Sequence, residues 1–267
     1  MKKRLKGILL YSLCLGLMSS CIIAVYDYSG SNEFQPHEEF LRFLPFLYGG
    51  TFSLQNTDGN IEIVGWENPE CEVYAERKVP RSRDRRLRIL KFSHYIPKVE
   101  IDSFENSINV RTIPAPAEDA TNVVDYFIRV PEAVILKEII NQRGDILIAD
   151  LYGEVYAETT EGSIIVDNFS GSLHVSVETG DIQARLIDLR SEDEITLSSS
   201  LGQITLYLQP EVSARLELFA PKGEIVDQFT SESPSPLDSG SLEFGEGHTL
   251  ISVTAENGNI TIKKNIE

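Results

Sequence analysis

Residues 144–187 read GDILIADLYGEVYAETTEGSIIVDNFSGSLHVSVETGDIQARLI, and one phrase recurs throughout them. Gly144, Gly153, Gly162, Gly171 and Gly180 stand nine residues apart. Two and four residues after each comes an apolar or small residue: Ile146/Ile148, Val155/Ala157, Ile164/Val166, Leu173/Val175, Ile182/Ala184. Alternation over two such positions marks a short strand with one buried face. The glycine ahead of it suits a tight turn, because it tolerates positive φ. A turn and a short strand repeated at a fixed period predict a β-solenoid.

A longer period lies over the first. Asp150-Leu151 and Asn168-Phe169 are 18 residues apart, and Asp188-Leu189 follows 20 later, whereas the units opened by Gly153 and Gly171 lack this polar–apolar pair. Two kinds of strand therefore alternate, and the coil is about 18 residues with two faces. Left-handed hexapeptide helices have a period of six, which the nine-residue spacing excludes. Calcium-binding nonapeptide repeats need a second glycine pair and a fixed aspartate in each unit, and neither is present. The expected fold is all-β: a single-stranded parallel β-helix or β-solenoid, right-handed, with two-strand coils and a short basic insertion.

The same phrase recurs outside this stretch, at Gly59-Asn60-Ile61-Glu62-Ile63, Gly202-Gln203-Ile204-Thr205-Leu206, Gly223-Glu224-Ile225 and Gly258-Asn259-Ile260-Thr261-Ile262. Alternating strands are also expected at Cys71–Ala75, Val99–Ile101, Ile108–Val110, Val123–Val130 and Ala214–Leu218. Residues 77–91 break the pattern with Arg77, Lys78, Arg81, Arg83, Arg85, Arg86, Arg88 and Lys91. This run reads as a solvated or salt-bridged insertion in an acidic protein, with an anion site as the sharper alternative.

The chain opens with Lys2, Lys3, Arg4 and Lys6, followed by an apolar run, Gly7–Leu17, too short to span a bilayer. Met18-Ser19-Ser20-Cys21 follows and resembles the lipobox of bacterial lipoproteins, with methionine where leucine is more usual. That resemblance implies cleavage before Cys21, acylation of its thiol and new amine, and a membrane contact through lipid. Ile22 after Cys21 is not the aspartate that resembles an inner-membrane retention signal, so the expected location is the bacterial cell envelope. In a cell with an outer membrane that means the outer membrane; otherwise it means the outer face of the cell membrane. The expected organisation is a signal peptide over 1–20, a tether over 21–39 and the solenoid over 40–267.

Removing residues 1–20 takes away four positive charges and no negative ones, so the net charge of −17 falls to −21. Such a chain repels nucleic acid, which is excluded as a partner. Cys14 leaves with the signal and Cys21 carries lipid, so Cys71 has no partner for an intramolecular disulfide and reads as a packed strand cysteine.

Beyond the repeat, the opening block Gly49–Leu54 with Asp58–Trp66, the strand Val124–Pro131, the turn Gly245-Glu246-Gly247 and the terminal Asn257–Ile262 resemble, in their order and spacing, the bacterial putative-adhesin family. That is a domain of unknown function built as a single-stranded β-solenoid. The resemblance covers about residues 40–264 and brings no catalytic residues with it.

Side-chain chemistry adds little toward an enzyme. His37, His94, His174 and His248 are far apart and have no metal-ligand spacing partner. His174, between Leu173 and Val175, points outward by strand alternation. There is no Gly-x-Ser-x-Gly elbow or phosphate-binding loop, so no cofactor and no metal set are expected. Arg143-Gly144-Asp145 matches the integrin-binding tripeptide, but the repeat already requires its glycine. The candidate binding edge is acidic: Asp145, Glu154 and Asp181 each follow a turn glycine, and stacking is expected to bring Asp145 near Asp181. The function expected is a non-enzymatic, lipid-anchored envelope protein that displays an acidic solenoid for adhesion or structural binding to an envelope, glycan or protein partner. The alternative is a carbohydrate-active β-helix enzyme, a polysaccharide lyase or hydrolase that needs two close carboxylates in unlike environments.

Overall fold

The computed structural model describes residues 37–78, 96–116, 122–230 and 239–265. The signal segment, Cys21, most of the tether, the basic run from Arg81 onward and His94 lie outside the described residues. Among those described there is no helix, and eighteen strands join in one hydrogen-bonded network. They are β1 (His37–Pro45), β2 (Gly50–Asn56), β3 (Ile61–Trp66), β4 (Glu70–Lys78), β5 (Lys98–Phe104), β6 (Ser107–Ile113), β7 (Val124–Pro131), β8 (Ala133–Arg143) and β9 (Ile146–Glu161). The chain continues with β10 (Ile164–Thr179), β11 (Ile182–Leu186), β12 (Glu194–Leu201), β13 (Ile204–Leu208), β14 (Ala214–Phe219), β15 (Ile225–Asp227), β16 (Ser239–Phe244), β17 (Thr249–Ala255) and β18 (Ile260–Lys264). The first strand begins at His37, inside the stretch expected to be tether.

The network folds into two faces. The first runs β1-β4-β7-β3-β9-β10-β11-β13-β18-β15, and the second β5-β6-β2-β8-β9-β10-β12-β17-β14-β16. β9 and β10 are long because each turns from the first face to the second without breaking its pairing. They do so at Asp150 and Asn168, whose φ values are 57° and 52°; Asp188, after β11, has 45°. These are the residues of the 18-residue polar–apolar pair, and aspartate and asparagine are the non-glycine residues that best tolerate this conformation. The apolar partner of each pair turns inward, and Leu151 and Phe169 are buried.

At the opposite corner the chain returns through the Gly-x-Ile phrase. Seven copies stack there in the spatial order Gly59, Gly144, Gly162, Gly180, Gly202, Gly258, Gly223, each close against the carbonyl oxygen of the one before. A Cβ on Gly162, for example, would overlap the Gly144 oxygen, so the residue is dictated by space as well as by its φ of 147°. The isoleucine that follows each glycine points inward. Ile61, Ile146, Ile164, Ile182, Ile204, Ile260 and Ile225 form one column, continued by Tyr126 at its N-terminal end. Each buries its side chain almost completely, a contribution of roughly 1.5–3 kcal/mol apiece. Ile165, next to Ile164, faces outward and is 38% exposed, as strand alternation requires.

A second inward column closes the same corner. Asn56, Asn141, Thr159 and Ser199 are buried at the last inward position before the turn. Asn141 donates to the carbonyls of Gly59 (2.8 Å) and Gly144 (3.1 Å), Thr159 to Gly144 (3.3 Å) and Ser199 to Gly180 (3.0 Å). These bonds satisfy turn carbonyls that would otherwise be buried without partners.

Candidate functional site

The acids nominated from sequence occupy two different places. Asp145 and Asp181 follow corner glycines, and so do Asn60, Ser163, Gln203 and Asn259. In this column a side chain caps the backbone of the next coil. Asn60 Oδ1 accepts from the Asp145 N–H (3.0 Å), Asp145 Oδ1 from the Ser163 N–H (2.8 Å), Ser163 Oγ from the Asp181 N–H (3.3 Å), and Asp181 Oδ1 from the Gln203 N–H (2.7 Å). Asp125 opens the series on the Asn60 N–H, and Asn259 serves Glu224 likewise. One oxygen of Asp145 and one of Asp181 are thus bound up in the stacking of the coils. Ser163 lies between the two, which corrects the expectation that they are near neighbours. Thirty-six residues make two coils, and two strand spacings are roughly 9–10 Å.

The tripeptide Arg143-Gly144-Asp145 is engaged in the same corner, with Arg143 paired to Asp58 at 3.0 Å. Cys71 is buried on β4, and burial, followed by the charges of Glu72 and Glu70, pushes its thiol up to about 12. A thiol held neutral in this way is a packing residue. His248 pairs with Glu246 at 3.0 Å in the turn before β17. Among the described residues no group of three or more histidine, cysteine, aspartate or glutamate side chains is placed to hold a metal.

Glu154 sits elsewhere, on the outer surface of the second face. There Glu154, Tyr156 and Glu158 alternate outward along β9. Tyr156 donates to Glu154 Oε1 at 2.7 Å. That bond raises the phenol above its ordinary value, with burial and the charges of Glu154 and Glu194 adding to it. Across the pairing with β10, Tyr156 stands opposite His174, and the two rings stack with centroids 4.5 Å apart and planes 9° from parallel. The outward His174 expected from alternation is therefore one half of a ring pair. Ser176, Thr196 and Ser198 continue the outer rows with hydroxyls.

On the other side of Tyr156, β8 bulges. Its register slips between Leu136 and Ile139, which pair with Val155 and Ala157, so Lys137 and Glu138 together face the single residue Tyr156. A bulge of this kind lifts and bends its strand. From this bulge an open depression of about 350 Å³ runs along the face past the ring pair to β12, lined by Lys137, Glu138, Tyr156, Glu158, His174 and Thr196 among others. Sequence reasoning missed this feature although a signal was present: Tyr156 and His174 are both outward and 18 residues apart, one coil.

Comparison with known proteins locates the domain. Residues 138–263 match the family model described as Toastrack DUF4097. No curated protein matches the sequence. Among solved structures, a putative cell adhesion protein from Clostridium sporogenes ATCC 15579 is similar at 12% identity, covering 86% of this chain and 100% of its own, with a TM-score of 0.47. A putative adhesin from Bacteroides fragilis NCTC 9343 is similar at 9% identity over 85% of this chain and 97% of its own, with a TM-score of 0.26. Another, from Parabacteroides distasonis ATCC 8503, is 8% identical over 84% and 96%, with a TM-score of 0.28. The similarity to that family, a domain of unknown function, covers residues 138–263, just under half of the chain.

Proposed function

We propose that the chain is a lipid-anchored protein of the bacterial envelope that binds partners on the surface of its solenoid and catalyses no reaction. The observation that carries this reading is the regular outer surface of the second face. There, carboxylates and hydroxyls recur at strand spacing around one stacked ring pair, on a backbone fixed by its neighbours. A rigid array of this kind offers many weak contacts at little entropic cost, which suits stoichiometric binding. The acidic edge first expected at Asp145 and Asp181 is occupied by coil-to-coil hydrogen bonds, so the contacting surface moves to the face that carries Glu154. The anchor rests on Met18-Ser19-Ser20-Cys21.

The test has two arms. Cys21→Ala is expected to move the protein from the detergent phase to the aqueous phase, because several acyl chains hold firmly and none remains in the variant. Unchanged partitioning removes the anchor. The full-length protein is also incubated with a panel of polysaccharides, and no product is expected. Product that disappears on changing one carboxylate establishes the enzyme instead.

A further inference from the structure

We propose that the depression beside the Tyr156–His174 pair, at its end next to the β8 bulge, is a docking site for an arginine side chain carried by a basic polypeptide. The proposal rests on the binding role above and names the partner's chemistry.

Three observations lead to it. The first is shape. His174 covers one face of the Tyr156 ring, and the other face is turned toward the bulge at Lys137 and Glu138. A volume of about 350 Å³ accepts a guanidinium and its stem. The second is the placing of charge. Glu154 and Glu158 flank Tyr156 on the same strand, and Glu194 is close enough for its charge to be felt at the phenol. Glu154 already accepts from the Tyr156 hydroxyl, whereas Glu158 has no side-chain partner among the described residues. An aromatic face beside an uncommitted carboxylate is matched by a planar cation, which stacks on the ring and donates its N–H fork to the acid. Arginine fits this better than lysine, whose compact ammonium neither stacks nor forks. The third is complementarity at long range. The chain carries a net −17, and Lys137 is the one cation among the depression's lining residues, against Glu138 and Glu158. A basic partner is therefore drawn in, and an acidic one is turned away.

The test titrates the full chain, in detergent, with an octa-arginine peptide, an octa-lysine peptide of equal charge, and a neutral cello-oligosaccharide. Octa-arginine is expected to bind most tightly, with an affinity that falls as salt rises. Tyr156→Ala is expected to weaken it by about five- to tenfold, and Glu158→Gln by about threefold, while Tyr156→Phe retains it. Glu62→Gln, an acid on the outer side of the first face, is expected to leave binding unchanged. Thermal melts accompany every variant. If Tyr156→Ala fails to fold, His174→Ala, which strips the ring of its support, replaces it with the same expected direction. Equal losses from Glu62→Gln and Tyr156→Ala would overturn the site and leave the general binding role standing. Binding of the neutral oligosaccharide, abolished by Tyr156→Ala, would overturn the arginine assignment. Failure of all three probes to bind would end both this proposal and the binding role as placed on this face.

Discussion

The middle of the solenoid and its two ends are built on different principles. From β8 to β13 the chain climbs one coil at a time, and each coil pairs in parallel with the one before it in sequence. At the ends that order fails. The first coil, β2 with β3, is covered on its outer side by β6 and β7, and beyond these lie the antiparallel strands β5, β4 and β1. At the far end, the coil made of β17 and β18 comes last in the chain but sits inside. It lies between the coil of β12 and β13 and the coil of β14 and β15, with antiparallel β16 outermost on the second face. A repeat solves stacking, but it leaves an open edge at each end, and open parallel edges invite pairing with other chains. Antiparallel strands cover three of the four edges here, β1, β5 and β16, and the fourth is only the three-residue β15. The middle is modular as a result, and the ends are not.

Two deletions test this contrast with the largest expected effect. Removing Ser163–Gly180 takes out one whole coil and joins Gly162 to Asp181, which restores the Gly-x-Ile phrase in register. The shortened protein is expected to fold and to melt cooperatively at a lower temperature, since repeat stability is nearly a sum over neighbours. Removing residues 249–267, a segment of similar length, pulls out the coil on which β14 and β15 stack. The expected loss exceeds the roughly 5–15 kcal/mol that holds a domain together, and no cooperative melt should remain. Circular dichroism melts of the two proteins decide it; the reverse ranking would break the distinction between middle and ends.

The same contrast explains what could be read in the amino-acid sequence. The middle was legible because each coil repeats after 18 residues, so Ile146, Ile164 and Ile182 had to stack. At the ends, Gly223-Glu224-Ile225 and Gly258-Asn259-Ile260 are equally good copies of the phrase, and nothing local says which lies inside. That order depends on pairing across many residues, for which periodicity holds no signal. The site was legible in part. Asp145 and Asp181 look like solvated turn acids when taken singly. Set beside Asn60, Ser163 and Asn259 at the same position, they form a column of short side chains that accept hydrogen bonds, which is the signature of a cap. The bulge at Lys137 and Glu138 disturbs no pattern that sequence displays.

A single methyl group compares the two regions more gently. In the middle, an alanine at Gly162 would drive its Cβ into the Gly144 carbonyl and force a side chain onto a φ of 147°. Coils on both sides prevent relaxation, so Gly162→Ala is expected to cost about 2–4 kcal/mol. At the end, a Cβ on Gly223 meets the Gly258 carbonyl in the same way. The short strand β15, however, is the last of the first face among the described residues and can move outward. Gly223→Ala is therefore expected to cost about 1–2 kcal/mol. Denaturant titration measures both. Equal costs would mean that the end is as constrained as the middle.

The smallest effect belongs to the N-terminal cap and is a matter of pH. Cys71 lies on β4, the strand paired with β1, where burial raises its thiol from 9.0 to about 12. The folded cap holds the neutral thiol, while the unfolded chain releases the proton as pH rises past 9. Stability from this group is therefore fully present below about pH 9 and is lost progressively toward pH 12, by at most about 1.4 kcal/mol per pH unit. Cys71→Ala removes the titration at the expense of some packing, so the variant is expected to be less stable than the parent by about 1 kcal/mol at pH 7. The gap should close by about pH 10, where the parent has lost a similar amount. Urea titrations of both proteins at pH 7 and pH 10 give the comparison. A gap that stays constant would show that the cap opens to water around Cys71, and that the end of the solenoid is looser than its middle even before the protein unfolds.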